Sequence, residues 1–246
     1  MASEPPPHPD SVLASAERAV ALTARQAAWD DDPPNSLAAL ESCLRAPVAR
    51  VAVDLYVVDG LGFVAGRGDL PPTAHDRPPR LRDIVALVTA VPGPTTVELR
   101  LIGTAPLTWA RTEELARLVS PAAKRIVVTS KADWNLRRLR FVAPDLRVGF
   151  DPGLYLGRDP DRLAPRLVDA IRLVPGAREV HLRLETFEAM LDEGVIDAAL
   201  IHRLGMRVGV ETLDTTTARW RERLTRAVDA GADMIATETP RALARS

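Results

Sequence analysis

The chain has 246 residues, 32 Lys and Arg against 33 Asp and Glu, a net charge of −1, and a hydrophobic content of 46%. Near-neutral charge leaves no electrostatic footprint for nucleic acid or an anionic membrane surface. The single Cys43 excludes a disulfide framework or a cysteine-based metal centre, and no run of about 18 apolar residues offers a membrane span. The length suits one (β/α)8 barrel of about 250 residues. Basic residues are almost all Arg, which together with abundant Ala and Pro matches a GC-rich bacterial genome. The start, MASEPPPHPD, lacks the basic-then-apolar layout of a signal peptide, so a cytoplasmic chain is expected.

Residues 1–18 read as a disordered tail with a short helix over Ser11 to Arg18, and residues 19–246 as one barrel domain. The first strand is Ala19 to Thr23. A polar loop follows, and Asn35 or Ser36 caps a helix with Leu37, Leu40 and Leu44 at helical spacing. Strand two, Val51 to Val58, ends in an Asp59-Gly60 turn and a short apolar return. The Pro-rich loop Pro71 to Pro79 leads into the helix LRDIVALVTAV.

Strand three is Thr95 to Ile102, with Thr112 as the expected cap of the helix EELARLV. Strand four is Arg125 to Thr129, followed by a helix through Trp134 and Leu139. Strand five is Leu146 to Phe150, closed by Asp151-Pro152-Gly153 as a turn. A helix over Pro160 to Leu173 precedes strand six, Glu179 to Leu184. Two short helices between Thr186 and Leu204 flank Gly194. Strand seven is Arg207 to Glu211, a helix runs from Thr215 to Ala230, and strand eight is Met234 to Thr237. Eight strands alternating with helices predict an α/β chain folded as a single (β/α)8 TIM barrel. No Gly-rich phosphate loop follows the first strand, which argues against an open dinucleotide-binding sheet.

Charges inside the apolar strand runs are the functional signal. Asp54 interrupts strand two, and Glu98 and Arg100 interrupt strand three, two residues apart on one face. A carboxylate there is costly unless an ion pair or a metal uses it. Glu211 ends strand seven, Glu185 follows strand six, and Arg183 lies between them as a partner. Barrel enzymes build sites from such strand ends. His181 falls early in strand six, where a core or lower-barrel residue is the expectation. The four Trp residues read as packing.

The order of NSLAAL (Asn35 to Leu40), VDLYVVDG (Val53 to Gly60), VELR (Val97 to Arg100) and DAGADMIATETP (Asp229 to Pro240) resembles the glycerophosphodiester phosphodiesterases. The resemblance implies a TIM barrel of the phospholipase-C-like phosphodiesterase type that hydrolyses glycerophosphodiesters with a divalent metal. In that family two histidines serve as general acid and base, and three carboxylates hold the cation. Here the His-Arg-Gly of strand one becomes Ala24-Arg25-Gln26, the Glu-Asn-Thr becomes Pro34-Asn35-Ser36, and the second histidine has no counterpart near Gly66-Arg67. The Glu-x-Asp pair becomes Ala52-Val53-Asp54, and the Glu-x-Lys becomes Glu98-Leu99-Arg100.

The resemblance therefore implies a barrel stripped of its histidine chemistry that binds a small anionic or phosphorylated molecule. Arg25 and Glu211 are the candidate catalytic groups, and Arg25, Asn35, Arg100 and Arg183 the candidate ligand contacts. Asp54 and Glu98 are the candidate ligands for Mg²⁺ or Ca²⁺, held weakly or lost with only two carboxylates. Two alternatives stand beside this reading. One is an active enzyme with rewired acid–base chemistry, a phosphodiester hydrolase or lyase. The other is a scaffold for a protein partner.

Overall fold

The structure, a computed structural model, describes residues 12–15, 18–29, 32–66, 71–156, 163–194, 198–211, 213–216 and 218–243. Ten strands form one sheet: Val12–Ser15 (β1), Arg18–Ala24 (β2), Arg50–Val58 (β3), Gly62–Ala65 (β4), Thr96–Leu101 (β5), Ile126–Ser130 (β6), Arg147–Phe150 (β7), Glu179–Arg183 (β8), Arg207–Glu211 (β9) and Met234–Thr237 (β10). Eight of them run parallel in the order β2, β10, β9, β8, β7, β6, β5, β3, and β2 pairs with β3 to close the ring. This is the expected (β/α)8 barrel.

The two extra strands fill gaps left by the stagger. The β2–β3 pairing covers only Thr23↔Arg50 and Ala24↔Val51, so the first half of β2 lacks β3 beside it. Antiparallel β1 pairs there, from Val12↔Ala21 to Ser15↔Arg18. Where the expected helix over Ser11 to Arg18 falls on described residues, Val12–Ser15 and Arg18, strand replaces it, because an unpaired β2 edge offers hydrogen bonds that a short helix cannot match. At the other end, antiparallel β4 continues the Asp59-Gly60 turn and pairs Leu55↔Ala65 through Val58↔Gly62. The tail read over residues 1–10 lies outside the described residues.

Helices cover the outside: Leu37–Arg45 (α1), Leu81–Ala90 (α2), Trp109–Val119 (α3), Asp133–Val142 (α4), Gly153–Leu156 (α5), Leu163–Arg172 (α6), Leu184–Asp192 (α7), Ala198–Arg203 (α8), Trp220–Asp229 (α9) and Pro240–Leu243 (α10). Ser36 caps α1 by accepting from the Ala39 N–H at 3.1 Å. Thr108, not Thr112, caps α3 by accepting from the Arg111 N–H at 3.2 Å. Thr112 lies one turn inside, its hydroxyl donating to the Thr108 carbonyl. The helix expected from Thr215 begins only at Trp220.

Alternation along each strand sends one set of side chains outward to the helices. Val51, Val53, Leu55, Val97, Leu99, Val128, Val148, Val180, Leu182, Val208 and Val210 join Leu40, Ile84, Leu115, Leu136 and Leu167 in one buried apolar layer. The inward set is different. It includes Arg50, Asp54, Glu98, Arg100, Thr129, Glu179, His181 and Glu211, where barrels of this kind usually pack branched aliphatics.

Candidate functional site

The inward charges form a continuous ladder from the floor of the barrel to its mouth. At the floor, Arg50 at the start of β3 reaches Glu179 at the start of β8 by two hydrogen bonds of 2.6 Å. Its Nη1 is also 3.6 Å from Glu98 Oε2. Burial opposes the charge on Glu179, but Arg50 outweighs it and holds the carboxyl well below its usual range. One rung higher, His181 stands among three carboxylates. Its Nδ1 is 3.8 Å from Glu98 Oε1 and 3.6 Å from Glu211 Oε1, and its Nε2 is 3.4 Å from Glu179 Oε2. Burial works against a charged ring, yet Glu98, Glu179 and Glu211 raise its pKa to about 10.

Two glycines make room for that ring. His181 pairs in register with Gly209 of β9, and Gly149 lies on the other neighbouring strand, β7. A methyl group added at Gly149 would meet Thr129 Cγ2 at 2.8 Å and His181 Nε2 at 2.9 Å; at Gly209 it would stand 3.2 Å from His181 Nδ1. The strands are cut away on both sides for an imidazole.

At the mouth, Arg100 bridges two carboxylates. Its Nε is 3.6 Å from Asp54 Oδ1, and its Nη2 donates to Glu211 Oε2 at 3.2 Å. Burial is set against the charge of Glu211 as well, but Arg100 and then His181 keep it ionised well below the usual range. Asp54 is pushed the other way. Burial raises its carboxyl, and Arg100, Arg25 and a hydrogen bond from the Gln26 amide only partly offset this.

A recess of ≈ 90 Å³ opens here, lined among others by Arg100, Thr129, Lys131, Asp151, His181 and Glu211. That is well under the ~300–1,000 Å³ of a drug-sized pocket and suits a single small group. Lys131 Nζ is 3.7 Å from Asp151 Oδ2. Burial, then the charge of Glu211, raises the Asp151 carboxyl. Asp151 also makes the expected turn, accepting from the Gly153 N–H at 2.8 Å.

Asp54, Glu98, Arg100 and Glu211 therefore converge inside the barrel. Arg25, in a 3-10 turn after β2, lies near the rim with Nη1 3.7 Å from Glu238 Oε1. Arg183 and Glu185 are exposed, and Glu185 is 4.0 Å from Arg223 rather than paired with Arg183. Arg183 has no ion pair among the described residues; Glu211, its register neighbour, is taken by Arg100. Asn35 is buried and committed to the backbone: its amide donates to the Gly66 carbonyl and accepts from the Asp54 N–H. Asp54 stands against Arg100, while the groups that gather around Glu98 are His181 and Glu211. Those three residues offer donor atoms within 4.8 Å of one another.

No protein-family model matches the sequence, and no curated protein does. Solved structures do match. A Galdieria sulphuraria protein described as a glycerophosphodiester phosphodiesterase superposes with a TM-score of 0.73 at 16% identity, over 94% of this chain and 100% of its own. A glycerophosphodiester phosphodiesterase from Parabacteroides distasonis gives 0.69 at 16% identity, over 92% and 95%. An Oleispira antarctica phosphodiesterase, solved with its product sn-glycerol-3-phosphate, gives 0.61 at 13% identity, over 91% and 94%. Among the described residues no helix is long and apolar enough to cross a membrane. The chain shares its whole-barrel fold with glycerophosphodiester phosphodiesterases.

Proposed function

We propose that this chain is a degenerate glycerophosphodiester phosphodiesterase-like protein that binds a small phosphorylated molecule at the barrel mouth without two-histidine hydrolysis. Arg100 is the observation that carries this reading. It lines the recess while bridging Asp54 and Glu211, so a fixed guanidinium supplies positive charge among the mouth carboxylates. Guanidinium groups suit phosphate oxygens in geometry as well as charge. With His181 protonated, the recess carries three cations (Arg100, Lys131, His181) against two carboxylates (Asp151, Glu211), a balance that favours an anion. Ser130 also lines the recess, and Arg25 is near enough to act on Asp54 and Glu211 through its charge. His181 does not replace the missing acid and base. A group with a pKa of about 10 is a poor proton shuttle near pH 7, and the ring is buried among carboxylates.

The test joins a binding and a turnover measurement. sn-Glycerol-3-phosphate at about ten times its Kd should stabilise the fold by about 1.4 kcal/mol, a rise of about 3–6 °C in Tm for a chain this size. Glycerol at the same concentration should do nothing. Glycerophosphocholine with Mg²⁺ or Ca²⁺ should show no turnover at ordinary rates of ~1–10³ s⁻¹. Turnover in that range, or no shift with any phosphoester, overturns the reading.

One observation favours a second reading, rewired acid–base chemistry. The Asp151 carboxyl is raised by burial and by Glu211, and it faces the recess beside Lys131. Such a group can deliver a proton to a leaving oxygen. If that reading holds, any slow phosphodiester turnover disappears in Asp151→Asn.

A further inference from the structure

We propose that Glu98, His181 and Glu211 form a binding site for one first-row divalent transition-metal ion, of the Zn²⁺ kind, with its open side towards the mouth recess. This goes beyond ligand binding at the rim, and of the carboxylate pair expected from the sequence it uses Glu98 but not Asp54.

The spacing is the first argument. His181 Nδ1 stands 3.8 Å from Glu98 Oε1 and 3.6 Å from Glu211 Oε1. Both distances are too long for a direct hydrogen bond. Donor atoms bound at ~2.1 Å in a tetrahedral shell stand about 3.4 Å apart, so a small closing movement of the two carboxylates would seat an ion. The second argument is the division of labour among the oxygens. Each carboxylate turns its Oε1 to the shared point and its Oε2 to an arginine: Glu98 to Arg50 at 3.6 Å, Glu211 to Arg100 at 3.2 Å. Thr129 further fixes Glu98 by donating to Oε1 at 2.9 Å.

The imidazole is oriented in the same fashion. Its Nε2 faces Glu179 Oε2 at 3.4 Å, and Glu179 is itself clamped by Arg50. A carboxylate behind a histidine fixes the tautomer that leaves the other nitrogen free for a metal. Gly149 and Gly209 hold the ring in a cradle that a methyl group would fill. Charge agrees with the geometry. Ligation through Nδ1 releases the His181 proton, and the dication then stands in place of the imidazolium among four lumen carboxylates (Asp54, Glu98, Glu179, Glu211) and two guanidiniums (Arg50, Arg100).

The donor set chooses the metal class. One nitrogen and two oxygens suit borderline ions, whereas Mg²⁺ and Ca²⁺ favour six or more oxygens. Three protein ligands with one position open are the arrangement of a reactive rather than a sealed centre.

Calorimetric titration of the full chain with Zn²⁺, Mg²⁺ and Ca²⁺ tests this. One Zn²⁺ should bind per chain, at least 100-fold more tightly than either hard ion. His181→Gln should weaken Zn²⁺ at least 100-fold, and Glu179→Gln about 10–100-fold through the orientation of the ring. Should either variant fail to fold, the wild-type protein decides: Zn²⁺ must shift the ¹⁵N resonance of His181 Nδ1 and not that of His202. No stoichiometric Zn²⁺ binding, equal affinity for Mg²⁺ and Ca²⁺, or an unmoved His181 resonance overturns the site.

Discussion

At the floor of the barrel Arg50 grips Glu179 through two 2.6 Å hydrogen bonds, with 4% and 5% of the side chains exposed; at the mouth Lys131 and Asp151 stand 3.7 Å apart, with 40% and 15% exposed. The same charge chemistry thus serves two ends. The floor is closed, fully paired and deprived of water, so each ion depends on its partner for solvation. At its outer edge the mouth is loosely paired and more exposed, so a new anion can reach Lys131 without first breaking a tight bridge. Between them, His181 and its three carboxylates belong to neither regime. They are as buried as the floor but spaced more loosely, which is why the ladder's middle rung is where an extra cation is best accommodated.

Breaking the floor gives the largest effect. Arg50→Met removes the closest cation to Glu179 among the described residues and one of the cations beside Glu98, which should cost about 3–5 kcal/mol. At this chain length the Tm would fall by about 10 °C or more, or the protein would not fold. Pairing it with Glu179→Leu should recover most of that loss, because an apolar pair of similar volume needs no solvation. Denaturant unfolding of the single and double variants checks this, and a double variant as unstable as the single one would mean that the floor ions do more than neutralise each other.

Perturbing the middle rung should cost less. In Gly149→Ala the new methyl group overlaps Thr129 Cγ2 and the His181 ring, both buried. Overpacking of this kind costs about 1–3 kcal/mol, and the displaced imidazole should weaken Zn²⁺ far more than phosphoester binding at the mouth, where Arg100 and Lys131 are untouched. A calorimetric titration with each ligand separates the two effects.

How much of this was legible in the sequence depends on where each residue's partner lies. Asp54, Glu98, Arg100 and Glu211 stood out because each interrupts or ends an apolar strand run, a cost visible one residue at a time. The barrel itself followed from eight alternating runs. His181 did not stand out, since its neighbours Glu98 and Glu211 come from strands far away in the chain. A signal was present: VGF and VGV put Gly149 and Gly209 into the strands on both sides of it, and a glycine inside a strand marks a close approach. Arg50 and Glu179, 129 residues apart, each read as the edge of a strand until closure of the ring faced them. β1 escaped for a similar reason, because Val12–Ser15 has no pattern of its own and takes its conformation from the edge of β2.

The smallest effect tests the mouth, and its sign depends on pH. Burial raises the Asp54 carboxyl, so the native state holds that proton more tightly than the unfolded chain does. Above the raised value, ionised Asp54 subtracts from stability; as pH falls through that value towards the ordinary 3.8, the native carboxyl takes up its proton and the penalty vanishes. Asp54→Asn mimics the protonated form and can still accept from Gln26. It should therefore raise Tm slightly at pH 7.5, by about 2 °C or less, with the gain shrinking towards zero near pH 4. A loss of stability at pH 7.5 would show that the ion pair with Arg100 outweighs burial, making Asp54 energetically like the paired ions of the floor.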